Sequence, residues 1–267
     1  MIWEHNTNVH ELNYLGSNIG DTMVDIAVLV KQVPDTNSKI QISGDRVDLS
    51  SVKMDISPYD EFAVENALQH KESGGGTVTA ITVGPAGADK VLKGVKALGV
   101  DNIVRLDFDG YMDSNGLQLV LAQEISSGGY DVVYCGKSAA DTGAGSTGPG
   151  IAERLGWGSV SNIIDISFDG GLTVTSPTEG GNAIISVNLP AVVSCDKGST
   201  KVRKSNVKGI MMAKKAQVDV KPVTAPASSV TIVSQVMPPA KPAGKQFEGG
   251  QSAQTVAQLL RDEANII

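Results

Sequence analysis

Residues 131–155, DVVYCGKSAADTGAGSTGPGIAERL, run from a strand through a glycine-rich loop into a helix. The stretch 131–135 is short, apolar and rich in Val, the pattern of a strand buried on both faces. The loop GKSAADTGAGSTG at 136–148 then feeds PGIAERLG, which reads as a helix. A glycine-rich loop between the carboxyl end of a parallel strand and a helix N-terminus offers free backbone N–H groups, and the helix dipole favours an anion there. Ser146 and Thr147 add hydroxyl donors, and Asp141 is placed to accept from a ribose hydroxyl. On composition alone the loop reads equally as a phosphate cradle and as a flexible surface loop.

The alternation extends upstream. Residues 25–30 form a Val- and Ile-rich strand, and 60–71 carry an apolar helical stripe at Phe62, Val64, Ala67 and Leu68 that Gly74, Gly75 and Gly76 interrupt. A second strand over 78–83 ends at Gly84-Pro85. A helix follows over 88–98, with Gly99 placed as its terminator. A third strand over 103–106 and a helix over 117–125 complete the series. Strand and helix alternating at this spacing predict a Rossmann-like α/β fold, a parallel sheet with right-handed crossovers and helices on both faces.

Downstream the pattern changes. Short strands at 163–168, 172–176, 183–187 and 191–195 are joined by Asp169-Gly170-Gly171 and Gly180-Gly181, which are hairpin signals and predict antiparallel edge strands. Residues 1–22 are polar and irregular and read as a flexible extension, or as an upstream start read in place of Met23. The Rossmann-like domain is expected over 23–220. Residues 221–267 open as a linker rich in Pro, Ala, Ser and Val and close on a helix with apolar positions at Val256, Leu259, Leu260 and Ala264. A tethered helix needs a partner subunit, or the body of the domain, to cover that stripe.

Composition narrows the function. A net charge of −7 lacks the basic footprint of a nucleic-acid binder. Thirty glycines against 4% aromatics suit tight turns and close backbone approaches. The two cysteines, Cys135 and Cys195, lie in apolar strand runs and read as buried thiols of a reducing, cytoplasmic compartment. The start has neither the basic nor the apolar region of a secretory signal, and no run of about 18 apolar residues suggests a membrane span.

The motifs exclude more than they assign. Gly143, Gly145 and Gly148 spell a formal G-x-G-x-x-G, but the dinucleotide fingerprint belongs directly after the first strand, whereas this one follows the fourth. There is no Walker-type G-x-x-x-x-G-K-[ST]. The three histidines, His5, His10 and His70, show no metal spacing, and none is placed to activate Ser194-Cys195-Asp196 as a nucleophile. Lys201, Arg203, Lys204, Lys208, Lys214 and Lys215 make a basic segment, read either as a solvated loop or as a docking segment for an acidic partner surface. Met211 and Met212 beside it suit an adaptable apolar contact or core filling.

Taken together, several segments resemble the β subunit of electron-transfer flavoproteins. VLVKQVPD at 28–35 is similar to that family's first strand and turn, and SPYDEFAVENALQHKE at 57–72 to its first long helix. VGPAGADKVLKGVKALGVD at 83–101 resembles its Gly-Pro turn and following helix. GKSAADTGAGSTG matches its nucleotide loop in position, NLPAVVSCD at 188–196 its Leu-Pro-Ala-Val strand, and GIMMAKK at 209–215 the end of its recognition segment.

The resemblance implies an adenine-nucleotide-binding type of Rossmann-like domain and an electron carrier with no bond chemistry of its own. Its partner would be an α subunit carrying FAD. The β chain would bind AMP, or FAD in its place in electron-bifurcating members. Implied nucleotide contacts are Leu29, then Ser57, Pro58, Tyr59 and Asp60, then Val83. The loop would add Gly136, Lys137, Ser138, Ala139, Asp141, Gly143, Gly145, Ser146 and Thr147. The segment 197–215 corresponds to the recognition loop that docks on acyl-CoA and other flavin dehydrogenases, through Arg203, Lys204, Val207, Ile210 and Met211. Electrons would pass on to a quinone reductase or similar acceptor. The chain departs from the family pattern at Ser57, where Asn is common, at Lys204, where Tyr is usual, and at Val207, where Leu is usual. A stand-alone nucleotide-binding regulatory domain of the stress-protein type shares the α/β topology and is the alternative of another class.

Overall fold

Residues 23–169, 171–241 and 243–266 are described by a computed structural model; the N-terminal stretch 1–22 and Gly170 of the first hairpin signal lie outside the described residues. In chain order the elements are β1 (Val24–Leu29), β2 (Gln32–Pro34), β3 (Gln41–Ser43), β4 (Arg46–Asp48), β5 (Met54–Ile56) and α1 (Pro58–Gly74). Next come β6 (Gly76–Gly84), α2 (Asp89–Leu98), β7 (Asn102–Asp107), α3 (Ser114–Gly128), β8 (Val132–Gly136) and α4 (Thr147–Leu155). The remainder is β9 (Gly158–Ile163), β10 (Asp165–Ser167), β11 (Leu172–Thr178), β12 (Gly181–Val187), β13 (Ala191–Cys195), α5 (Val207–Lys215), β14 (Asp219–Pro222) and α6 (Ala253–Asp262).

The expected Rossmann-like α/β architecture is present. Seven strands form one sheet in the order β14-β7-β6-β1-β8-β13-β9, and every pairing in it is parallel. Parallel neighbours need long crossovers, and the helices that make them cover both faces of the sheet. Side chains of β1 alternate between two cores. Ile26 and Val28 pack with Val64 and Leu92, whereas Ala27 and Leu29 pack with Leu121, Ile125 and Ile151. Burying a side chain the size of Ile26 contributes roughly 1.5–3 kcal/mol.

Local signals set the helix ends. α1 opens with Pro58 in its first turn and ends before Gly75, whose φ is 78°. α2 stops at Gly99, and α3 begins three residues before the expected stripe because the Asp113 side chain caps it, accepting from the Gly116 N–H at 2.8 Å.

The antiparallel strands differ from expectation in arrangement. β10, β11 and β12 form their own three-stranded sheet following the edge strand β9, and the 191–195 run is no part of it. That run is β13, a parallel strand inserted between β8 and β9. An apolar run bounded by turn residues has the same sequence pattern in a hairpin and in a buried parallel position, and only its neighbours in space separate the two. Three further elements have weak sequence signals: the half-exposed β9, the short edge strand β14 just where a linker is expected, and α5 within the basic segment.

The chain divides into two compact units, one reaching Gln41 and resuming over Asp48–Ile232, the other made of Ile42–Val47 and the chain from Val233. In the second unit the β3–β4 turn holds the tail: the Gln235 N–H donates to the Asp45 carbonyl at 3.0 Å, and the Gln235 Oε1 accepts from the Val47 N–H at 3.1 Å. Phe247, Val256 and Leu260 line a shallow apolar depression on α6. Among the described residues no helix is long and apolar enough to cross a membrane.

His70 sits inside the first unit, stacked on Phe168 with ring centroids 4.6 Å apart and sharing a 2.9 Å hydrogen bond with the Tyr134 hydroxyl. Burial pushes its imidazole down from 6.5 to about 4. A base held neutral by folding stabilises the fold above its unfolded pKa and loses that contribution as pH falls through the folded one. On this account about 3 kcal/mol of stability is lost between pH 6.5 and 4, at about 1.4 kcal/mol per unit, read by urea unfolding as the difference between the parent chain and His70→Gln. In His70→Gln that loss is expected to be smaller by the same amount.

Candidate functional site

The chain leaves β1 for β6 on one side and later returns to place β8 on the other, so the strand order reverses at β1. Crevices outside the carboxyl ends of strands at such a reversal are the usual ligand sites of open α/β sheets. A cleft opens there. Its floor is apolar, with Leu29, Ile81, Val83 and Leu121, and its rim carries Lys31, Asp60, Ser114, Thr147 and the start of the glycine-rich loop.

Asp60, in the first turn of α1, fastens the two sides of the reversal. Its Oδ2 accepts from the Lys31 N–H just beyond β1 at 2.8 Å, and its Oδ1 accepts from the Gly136 N–H at the end of β8 at 3.1 Å. Burial pushes this carboxyl up to about 7, against the pull of those N–H groups and of Lys31. The approach is tight: a Cβ at position 136 would lie 2.3 Å from Asp60 Oδ1, so only glycine fits.

The loop is held at several points. The Ala140 N–H donates to Ser57 Oγ at 3.3 Å and the Gly143 N–H to the Ala139 carbonyl at 2.8 Å. Lys31 pairs with Asp141 at 2.7 Å across the rim, and Lys137 pairs with Asp196 at 2.8 Å while lying 4.7 Å from the centre of the Tyr59 ring. Gly143 and Gly145 take left-handed φ values of 62° and 64°, which turn the chain back towards α4. Gln118 donates to the Ser146 carbonyl at 3.0 Å and so holds the N-terminus of α4 against α3. The first N–H groups of that helix have no acceptor within it.

The structure brings most of the expected residues together and divides their roles. Leu29, Asp60, Val83, Gly136, Lys137, Ser138, Ala139, Gly145 and Thr147 line the cleft. Ser57, Tyr59, Asp141 and Ser146 stand behind it, holding the loop from outside, and Pro58 starts α1. The Asp141 carboxylate, read from sequence as a ribose acceptor, is engaged by Lys31. Several lining residues were missed, among them the apolar Ile81 and Leu121 and the polar Lys31, Ser114 and Thr82. Ser114 had a signal, since α3 also starts after a parallel strand. Thr82 had none, being a hydroxyl in an apolar strand. It is 1% exposed, and its Oγ1 is the one buried side-chain polar atom without a hydrogen-bond partner among the described residues.

A second surface lies on α5. Val207, Ile210, Met211 and Met212 are exposed, at 75%, 41%, 59% and 60%, which concentrates large apolar side chains in a single turn and a half of helix. Lys204 is exposed beside them. Arg203 faces inward and pairs with Glu65 at 2.8 Å and Glu72 at 2.6 Å on α1.

An electron transfer flavoprotein domain model matches residues 46–226. The electron transfer flavoprotein subunit beta of Syntrophomonas wolfei is 35% identical over 227 residues, covering 84% of this chain and 89% of that protein. Its counterpart in Bacillus subtilis is 31% identical over 258 residues, covering 91% of this chain and 100% of that protein. The one in Dictyostelium discoideum is 28% identical over 253 residues, covering 90% and 98%.

The cleft wall gives a direct test. Gly136→Ala is expected to lower unfolding free energy by about 1–3 kcal/mol, the usual cost of forcing atoms into a packed site. Gly74→Ala, whose new methyl meets nothing within 4 Å, is expected to leave stability unchanged or slightly raised in the same denaturation series.

Proposed function

This chain belongs to the electron transfer flavoprotein family as a β-subunit homologue, and from that premise we propose that it is the β half of a heterodimeric electron carrier. In this reading it pairs with an α subunit, holds AMP in the cleft at the β1 reversal and completes the wall of the FAD site of its partner. Through α5 it receives flavin dehydrogenases, such as acyl-CoA dehydrogenases, and electrons pass on to a quinone reductase or similar acceptor.

The observation that carries the reading is the cleft itself, which opens at the β1 reversal between an apolar floor and the glycine-rich loop. The apolar floor of Leu29, Ile81 and Leu121 suits a flat aromatic base. The N-terminus of α4, whose Thr147 lines the cleft, suits a phosphate. Close approach of a ligand to backbone at Gly136 and Gly145 meets no side chain. Burial pushes the Cys135 thiol well above its ordinary value, which keeps it protonated in the cleft wall. FAD, when bound to the complex, supplies the redox chemistry; the residues of this chain bind, orient and exclude water.

Two measurements test the reading. Acid extraction of the purified complex is expected to release one AMP and one FAD per heterodimer. Two FAD and no AMP would replace it with an electron-bifurcating subunit, and a colourless homodimer would replace it with a stand-alone regulatory domain. Val207→Glu is expected to raise the KM for a dehydrogenase donor several-fold without changing nucleotide content, and unaltered transfer kinetics would remove the docking role from α5.

A further inference from the structure

The segment between β13 and α5, residues 196–206, has no regular structure, yet it is fastened to one helix at successive points. The Thr200 hydroxyl donates to Asn66 Oδ1 at 2.9 Å, and Asn66 Nδ2 donates to the Cys195 Sγ at 3.3 Å. The Arg203 backbone N–H donates to Glu65 Oε2 at 3.1 Å. Its guanidinium forks over two carboxylates: Nε and Nη2 reach Glu65 at 2.8 and 2.9 Å, and Nη1 and Nη2 reach Glu72 at 2.6 and 3.0 Å. Glu65, Gln69 and Glu72 share one stripe of α1, and Gln69 donates to Glu65 Oε1 at 2.9 Å.

Glu65 is only 5% exposed at its side chain. Burial alone would raise its carboxyl; the hydrogen bonds from Arg203 and Gln69 more than reverse that and hold it below the usual range. The far end of the segment has its own seat. A Cβ on Gly209 would fall 2.3 Å from the Ala97 carbonyl oxygen on α2, so α5 lies closer to α2 than any other residue at 209 permits. Asn206 caps the same turn, accepting from the Gly209 N–H at 2.8 Å.

Ion pairs that remove a carboxylate from water contribute little net stability, and their recognised use is to specify one arrangement over others. Here the arrangement they specify turns Val207, Ile210, Met211 and Met212 towards solvent. A connection serving only to join β13 to β14 would turn those side chains inward, for a gain of roughly 1.5–3 kcal/mol each. The clamp and the seat therefore act against local collapse.

We infer that Glu65, Glu72 and Gly209 are positioning residues that fix the apolar face of α5 in its docking orientation before a partner arrives. The inference rests on the reading of α5 as the dehydrogenase-docking surface. The same helix that closes the nucleotide cleft with Asp60 thus also carries the anchor of the docking face. Association then needs no ordering of the segment, and loss of the clamp weakens encounter without altering transfer in the formed complex.

The test uses the full αβ complex and a flavin dehydrogenase as electron donor. Hydrogen–deuterium exchange of residues 197–215 and steady-state kinetics are measured for Glu65→Gln/Glu72→Gln, Glu72→Gln alone, Gly209→Ala and Val207→Glu. In the double variant and in Gly209→Ala, exchange across 200–209 is expected to rise about ten-fold, the mark of a local opening made easier. KM for the donor is expected to rise several-fold, kcat at saturation to stay at the parent value, and nucleotide content to hold. Glu72→Gln, at a half-exposed position that folding tolerates, is expected to give a smaller shift in the same direction. Unchanged exchange in both the double variant and Gly209→Ala overturns the inference. So does a raised exchange with an unchanged KM, provided Val207→Glu raises KM, because docking then survives without preorganisation. If Val207→Glu also leaves KM unchanged, the docking reading itself falls.

Discussion

The buried carboxylate of Asp60 joins two loops that the topology sends in opposite directions. β1 sends the chain to one side and β8 brings it back on the other, which leaves two carboxyl ends with no ladder between their exits. By accepting from Lys31 N–H on one and Gly136 N–H on the other, Asp60 sets the width of the crevice. Its cost is visible in the carboxyl, pushed up to about 7 by burial. Gly136 is the other half of the constraint, since any side chain there would displace the carboxylate. The loop contacts through Ser57, Asp141 and Lys137 presuppose this spacing.

Asp60 belongs to a helix whose remaining turns do different work. The inward face of α1 packs Ala63, Val64 and Ala67 on the sheet. A neighbouring stripe holds segment 196–206 through Glu65, Asn66 and Glu72. One rigid element thus borders the proposed nucleotide cleft and the proposed docking face.

The apolar strands β1, β6, β7 and β8, the glycine stops of α1 and α2, and the loop at 136–148 were all legible, because each depends on residues adjacent in the chain. The partner of β13 was not. VVYC at 132–135 and AVVSC at 191–195 are both short apolar runs with paired valines, and nothing local states that they lie side by side and parallel. The cleft was legible as a loop in a favourable place but not as a set of side chains. Thr82 and Lys31 join it through the placing of β1 beside β6, and the Asp141 carboxylate pairs with Lys31 across the rim. Arg203, which the resemblance implies as a docking residue, pairs with two glutamates far from it in sequence.

By itself, then, the sequence determined the α/β class, the run of alternating elements, the presence of a glycine-rich strand-to-helix loop and the family, since periodicity, punctuation and motif order are properties of short stretches. Tertiary structure decided the strand order, the crevice that the reversal at β1 creates, the carboxylate that holds it and the direction in which the apolar face of α5 points. Those depend on contacts between residues separated by scores of positions, where distance in space, and not residue type, selects the partner.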